Sequence, residues 1–380
     1  MKGVYIHIPF CEKKCCYCAF SSFVMKKDKI DEYISYLTKE IRKRKGEEID
    51  TIYIGGGTPS LLDEKQIKEI FLALKETFKI SKDAEITIEC NPNSLTEEKA
   101  KLYKNLGINR MSIGIQSLDD DKLKFVGRKH NAKQAIESIE IAKKCGFDNI
   151  SIDLLIGLKG ETEENFLSQL KILVDMGVKH ISTYMLQIED KTMLKKMVEE
   201  NPNLLPNDEE NVDIFEKTAK FLRKNGFLHY EVSNFAKKGF ESRHNKKYWS
   251  GEEYIGFGLS AHSFEKGVRK ANANTFKDYY QGKIALEEKL TDKQKIEEHI
   301  MLGLRCDLGI DTKYLERLNY NILDNESFKD FKEKGILIEE KDRVKLNPDF
   351  YVINNYIIVS LLPFWKNEKI AWFLKSNVIL

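Results

Sequence analysis

No run in the sequence approaches the roughly 20 consecutive apolar residues that a membrane-crossing helix requires, so a helical membrane span is excluded. The N-terminal apolar stretch is interrupted by His7 and Pro9, and no small-residue cleavage site follows it, so it does not read as a secretory signal. An excess of one charge is lacking too. Lys and Arg number 62 against 60 Asp and Glu, a formal charge of +2, whereas a general nucleic-acid binder carries a concentrated basic excess. The basic run at residues 42–45 closes a helical pattern and reads as a solvated terminus. Internal repeats and low-complexity linkers are absent as well. The expectation is a cytoplasmic chain with no nucleic-acid partner. There thiols stay reduced, and four of the 7 cysteines fall between Cys11 and Cys18, which points to a metal rather than to disulfides.

What the sequence has is length and alternation. With 380 residues, 42% of them hydrophobic, it exceeds the usual ~100–200 residues of one domain. From Val4 to about His262, β-rich runs alternate with amphipathic helical stretches. Strands are expected at Val4–Ile8, Thr51–Ile54, Glu85–Glu89, Arg110–Ile115, Asn149–Leu154, His180–Leu186, His229–Val232 and Tyr254–Leu259. Helices are expected at Asp28–Lys45, Glu64–Phe78 and Asn165–Met176, the last with Phe166, Leu170 and Leu173 at helical spacing. Such alternation means right-handed βαβ units and a parallel sheet, whose ligands gather at the carboxyl ends of the strands. Nearly every unusual motif directly follows one of those strands, which predicts a single active face. After about Ala273 the pattern changes to helices at Asp292–Leu304 and Glu326–Lys334, followed by a hairpin of Ile336–Ile338 and Val344–Leu346. The expected division is a barrel over residues 1–285, holding the site, and a small winged-helix-like α+β domain over 286–380. Beyond Leu362, Pro363-Phe364-Trp365 and Ile370–Leu374 form an aromatic tail that suits either packing or contact with a membrane surface.

Cys11, Cys15 and Cys18 are spaced Cys-x3-Cys-x2-Cys. Three thiolates within eight residues can wrap one [4Fe–4S] cluster and leave its fourth iron open, since Cys90, Cys145 and Cys306 are remote in sequence. An open iron on a low-potential cluster is what reductive cleavage of a sulfonium cofactor needs. Two alternatives stand beside this: a zinc site of three cysteines with His7, and a register using Cys16.

The segment Tyr5-Ile6-His7-Ile8-Pro9-Phe10 leading into that spacing resembles the radical S-adenosylmethionine superfamily. Within it, the sequence is similar to relatives of oxygen-independent coproporphyrinogen III oxidase over roughly residues 4–350. The resemblance implies an incomplete parallel (βα)6-type barrel and assigns cofactor contacts residue by residue. Gly56, Gly57 and Thr58 would meet the methionine amino group and Glu89 the ribose hydroxyls. Arg128 would fork onto the carboxylate, with Gln116 and Asp153 hydrogen-bonding nearby. Tyr5 would stand near the cofactor, Tyr17 would form an aromatic wall, and His7 would either approach a cluster sulfur or simply pack. A reductant protein such as flavodoxin or ferredoxin is the implied electron source.

Three features place the chain away from the oxidase itself. Phe20 stands where the oxidase has a further cysteine, the first strand starts at Val4 without a long leading segment, and residues 243–249 contain His-Asn-x-x-Tyr-Trp. That last motif, together with Tyr230–Phe235, resembles the haem-chaperone subgroup HemW. The implied cargo is haem, with His244 as a ligand and Tyr248 and Trp249 as walls. The implied acceptors are haem-requiring proteins such as membrane respiratory enzymes, reached from the cytoplasm or from the inner membrane face. The rival readings are oxidative decarboxylation of coproporphyrinogen III and radical chemistry on another substrate. No catalytic residue is assigned, and homodimerisation is left open.

Overall fold

The computed structural model describes residues 1–364; the aromatic tail from residue 365 onward lies outside the described residues. Six strands run parallel in chain order: β1 (Lys2–Ile8), β2 (Glu48–Gly56), β3 (Lys79–Cys90), β4 (Arg110–Gln116), β5 (Asn149–Ile156) and β6 (His180–Met185). Each is followed by at least one helix. Several helices start where the sequence supplies caps. Asp63 with Gln66 and Asn131 with Gln134 form reciprocal capping boxes, which satisfy backbone N–H groups that a helix start would otherwise leave unpaired. The helix Lys27–Arg42 buries Tyr33, Ile34, Leu37 and Ile41 along one stripe. The parallel sheet is what the alternation predicts, and the resulting α/β layer is the incomplete barrel that the family resemblance implies.

The last two expected barrel strands behave differently. β7 (Leu228–Glu231) does not extend the parallel run. It pairs antiparallel with β8 (Asn234–Ala236), which itself lies antiparallel on β6. Only Val232 and Ser233 separate β7 from β8, and so short a link permits a hairpin but no parallel crossover. β9 (Tyr254–Phe257) returns to the opposite side and lies parallel beside β1. From there β10 (His262–Glu265), β11 (Val268–Asn272) and β12 (Ile284–Lys289) continue the sheet antiparallel to twelve strands. β12 spans the expected boundary at 285.

A separate antiparallel sheet, ordered β13–β15–β14, contains β13 (Ile310–Asp311), β14 (Leu337–Glu340) and β15 (Arg343–Leu346). The β14–β15 hairpin turns through Lys341 and Asp342, with Lys341 at φ 56°. Helices Asp292–Gly303 and Glu326–Glu333 pack beside it, giving the small α+β C-terminal domain. No helix among the described residues is long and apolar enough to cross a membrane.

The two faces of the parallel strands differ. One carries Val4, Ile6, Ile8, Ile52, Ile54, Ile88, Ile113, Ile150 and Ile152, all fully buried. The other face presents Tyr5, Thr51, Tyr53, Glu89, Arg110, Ser112, Asp153, Ser182 and Tyr184. Register aligns these residues across the sheet, with Tyr5 opposite Tyr53, Glu89 opposite Ser112 and Asp153 opposite Ser182. A parallel sheet covered on both faces normally reads as continuous apolar runs, so a polar inner face marks a lumen built for more than packing.

Candidate functional site

The cysteine loop leaves β1 at Ile8 and is pinned at its base. Cys11 N–H donates to the Phe23 carbonyl and Phe23 N–H to the Pro9 carbonyl. The glycines after β2 make room for this base. A Cβ on Gly57 would lie 2.6 Å from the Phe10 carbonyl oxygen, and one on Gly56 would lie 2.6 Å from the His7 ring. Gly56 also has φ 115°, a conformation that side chains disfavour. The glycine run therefore allows two backbone segments to meet beneath the cysteines.

A continuous hydrogen-bond chain links two of the three sulfurs. Thr58 Oγ1 donates to Cys11 Sγ at 3.6 Å and accepts from Asn91 Nδ2 at 3.1 Å. Asn91 Oδ1 accepts from Arg128 at 2.8 Å, and the other guanidinium nitrogen, Nη1, reaches Cys15 Sγ at 3.8 Å. Arg128 also bonds the Gly114 carbonyl, while its Nε is buried without a partner. Donors aimed at sulfur match the acceptor role of a metal-ligating cysteine sulfur. Cys16 points elsewhere. Its thiol faces the Phe125 carbonyl at 3.7 Å, and it packs with Tyr17 against Val126, Leu155 and Leu158.

His7 makes no bond to sulfur. Its Nε2 bonds the Ser21 carbonyl at 3.1 Å, and its Nδ1 meets the Tyr5 hydroxyl at 2.9 Å. Because a carbonyl only accepts, the proton sits on Nε2 and Nδ1 accepts from Tyr5. Burial lowers the pKa of this imidazole to about 4, so it stays neutral and braces the far end of the loop. With both nitrogens engaged, His7 is not free to complete a tetrahedral zinc site. Among the described residues, no three His, Cys, Asp or Glu side chains converge on a single metal ion.

Deeper in the lumen, Glu89 accepts from the Tyr53 hydroxyl and from Gly56 N–H, both at 2.9 Å. Burial raises its pKa to about 7, against the opposing pull of those two donors. Asp153 accepts from Ser112 at 3.2 Å, and its pKa is also raised by burial. Gln116 ends β4 at φ 70°, with its amide folded back over Gly114. Tyr5, Tyr17, Gly56, Gly57, Thr58, Glu89, Gln116 and Asp153 sit on the cysteine loop, at the carboxyl ends of the strands or on the lumen face, and Arg128 reaches them from the link between helices Asp120–Phe125 and Ala132–Lys144. Asn91, Tyr53, Arg110 and Ser112 belong to the same surface, although the sequence motifs do not single them out. For Tyr53, Arg110 and Ser112 the signal is the alternation of polar residues along each strand, whereas Asn91 directly follows β3.

His244, expected as a haem ligand, sits in a packed position. Its side chain is fully buried, with Nδ1 at 2.8 Å from Thr51 Oγ1 and Nε2 at 2.9 Å from the Tyr248 hydroxyl. Its ring stacks on Tyr53 at a centroid distance of 5.4 Å. An imidazole with both nitrogens occupied has none left for iron. Tyr248 in turn packs edge-on against Tyr254, and Trp249 is buried. The helix Arg243–Ser250 thus packs as a seam with His244 and Trp249 buried and Tyr248 half-buried.

The Radical SAM superfamily model matches residues 5–173. The heme chaperone HemW of Bacillus subtilis is 35% identical to this chain, with 95% of this chain and 99% of that protein covered. HemW of Lactococcus lactis is also 35% identical, covering 95% and 97%. Among solved structures, the coproporphyrinogen III oxidase HemN of Escherichia coli superposes with a TM-score of 0.83 at 23% identity, covering 95% of this chain and 90% of that one, a likeness of fold. The spacing of the cysteines, the partial barrel around them and the near full-length match to these relatives lead to one assignment: the chain belongs to the radical S-adenosylmethionine superfamily, within its HemW family.

Proposed function

We propose that this chain is a haem chaperone that carries a [4Fe–4S] cluster on Cys11, Cys15 and Cys18 and binds S-adenosylmethionine beside it. The observation that carries the reading is the chain Thr58–Asn91–Arg128, which directs donors at the sulfurs of Cys11 and Cys15. These donors fit thiolate ligands and hydrogen-bonded cluster sulfurs. When bound, the cluster supplies a low-potential electron and one iron open to the cofactor's amine and carboxylate.

The residues of this chain supply orientation and electrostatics. Arg128 lies between Asn91 and Cys15 with its Nε unpartnered, close enough to the cysteines to serve a carboxylate there. Glu89 offers ribose hydroxyls a carboxyl at the end of β3, and Asp153 offers another on β5. Apolar Leu155, Leu158 and Val126 pack behind Tyr17 and exclude water from one side of the loop. Haem is the cargo, passed to haem-requiring acceptor proteins, and a flavodoxin- or ferredoxin-like protein is the reductant.

The test is anaerobic reconstitution followed by three measurements. Iron and labile sulfide should each reach about four per chain. S-adenosylmethionine should perturb the cluster's spectrum, and ferric haem should bind in a defined ratio and move to an apo-acceptor. Stoichiometric zinc without sulfide overturns the cluster assignment. Decarboxylation of coproporphyrinogen III, dependent on S-adenosylmethionine and reductant, overturns the chaperone assignment.

A further inference from the structure

Large apolar side chains are exposed on the cysteine loop and on the segment bonded to it. Phe20 is 48% exposed and Val24 65%, both just beyond Cys18. Ile188 is 42% exposed and Met193 66%. The last two follow β6, and the Leu194 N–H donates to the Cys16 carbonyl at 2.9 Å, tying that segment to the loop. Beneath both lies the apolar cluster of Val126, Leu155 and Leu158, with Cys16, Tyr17 and Leu186 packed on it. Exposed apolar side chains gathered at one mouth mark a binding surface more often than chance.

Several lysines gather around this mouth. Lys13, Lys124 and Lys129 are exposed and join no ion pair among the described residues. Lys13 Nζ lies 3.6 Å from where a Gly127 Cβ would stand, so the loop's cation abuts the 124–129 segment. Lys14 reaches only the Phe20 carbonyl, at 3.3 Å, and Lys159 lies over the Phe125 ring, 5.9 Å from its centroid. The loop's one carboxylate, Glu12, accepts a hydrogen bond from Asn93.

A ligand that matches an apolar rim fringed by unpaired ammonium groups has a broad apolar body and peripheral carboxylates. We infer that haem is held at this mouth, with the macrocycle on Phe20, Ile188 and Met193 and the propionates on Lys13 and Lys14. The proposal rests on the chaperone reading and locates its cargo. It places haem beside the cysteine loop rather than on the helix Arg243–Ser250, whose His244 and Trp249 are buried. Aromatic and thioether side chains provide polarisable contact with a flat ring, and the ammonium groups fix its edge.

The test is titration of the anaerobically reconstituted protein with ferric haem, followed in the Soret region. A double variant, F20S with M193S, changes two exposed side chains and should leave folding intact while weakening haem affinity at least tenfold. A K13E/K14E variant should weaken it several-fold and reduce its salt dependence, because paired surface charges are screened by salt. Y356S, which alters an exposed aromatic of the C-terminal domain (67% exposed), should bind as the unaltered chain does. Unchanged affinity in F20S/M193S, or an equal loss in Y356S, overturns the mouth as the site while leaving the chaperone reading standing. Failure of the unaltered protein to bind haem overturns both.

Discussion

Replacing His244 with alanine separates a packed imidazole from an iron ligand. The ring has no exposed surface, bonds Thr51 and Tyr248 through its two nitrogens, and lies against the face of Tyr53. Truncation removes two hydrogen bonds worth about 1 kcal/mol each and strands two buried hydroxyls. It also opens a ring-sized cavity, for a total loss of about 3–5 kcal/mol. Unfolding entropy of about 2.1 cal/mol/K per residue gives ~0.8 kcal/mol/K for 380 residues, so Tm should fall by about 4–6 °C. Protonation adds a second signature. Burial, reinforced by Lys247 and Arg110, lowers the folded pKa of His244 to about 3, while the unfolded value is near 6.5. The unfolded chain therefore takes up a proton that the folded chain refuses, and the stability from this site is lost as pH falls from about 6.5 toward 3. Alanine has no such dependence, so the stability gap between the two proteins should narrow by about 2 kcal/mol between pH 7 and pH 5. Thermal unfolding by near-ultraviolet circular dichroism at both pH values gives these quantities, and a haem titration gives the Soret band. An unchanged Tm together with a shifted or weakened Soret band would refute the packing argument and restore His244 as a ligand.

Cys11, Cys15 and Cys18, changed singly to alanine, should each abolish the brown chromophore of reconstituted protein. C16A should keep it, because that thiol faces the Phe125 carbonyl; visible spectra with iron and sulfide analysis decide. T58V removes the hydroxyl that donates to Cys11 Sγ and should lower the cluster's midpoint potential without loss of iron, as read by redox titration. G57A would place a methyl 2.6 Å from the Phe10 carbonyl. It should cost about 1–3 kcal/mol and reduce cluster occupancy, measured by denaturant unfolding and iron content. Glu231 is buried, with its pKa raised to about 8, so its stability contribution is present below about pH 4.5 and lost as pH rises through 8. E231Q should therefore gain in Tm relative to the unaltered chain on going from pH 5 to pH 8, and a constant difference would contradict the burial argument.

The local pattern carried much of this protein. Three thiols within eight residues, at the end of a strand, can meet one cluster whatever the rest of the chain does, because loop geometry confines them. The strands Val4–Ile8 through His180–Leu186 and their helices were legible because each alternates or repeats within its own few residues. The polar side of that alternation was also written there, in Thr51, Tyr53, Arg110, Ser112 and Ser182, although no single motif announces it. Long-range pairing decided the rest. Whether His229–Val232 ran parallel or antiparallel depended on which strand edge was free when it returned, and its two-residue link to β8 settled the matter. β9 reached β1 across the whole sheet, a neighbour that no local signal specifies. Asn91 became the bridge between Thr58 and Arg128 only once three strand ends had been brought together. The fate of His244 was likewise tertiary: the same four letters, His-Asn-x-x, suit a ligand or a packed ring. Burial against Tyr53 and Thr51 chose the ring, because two satisfied nitrogens in a dry seam are worth more than an imidazole left facing water.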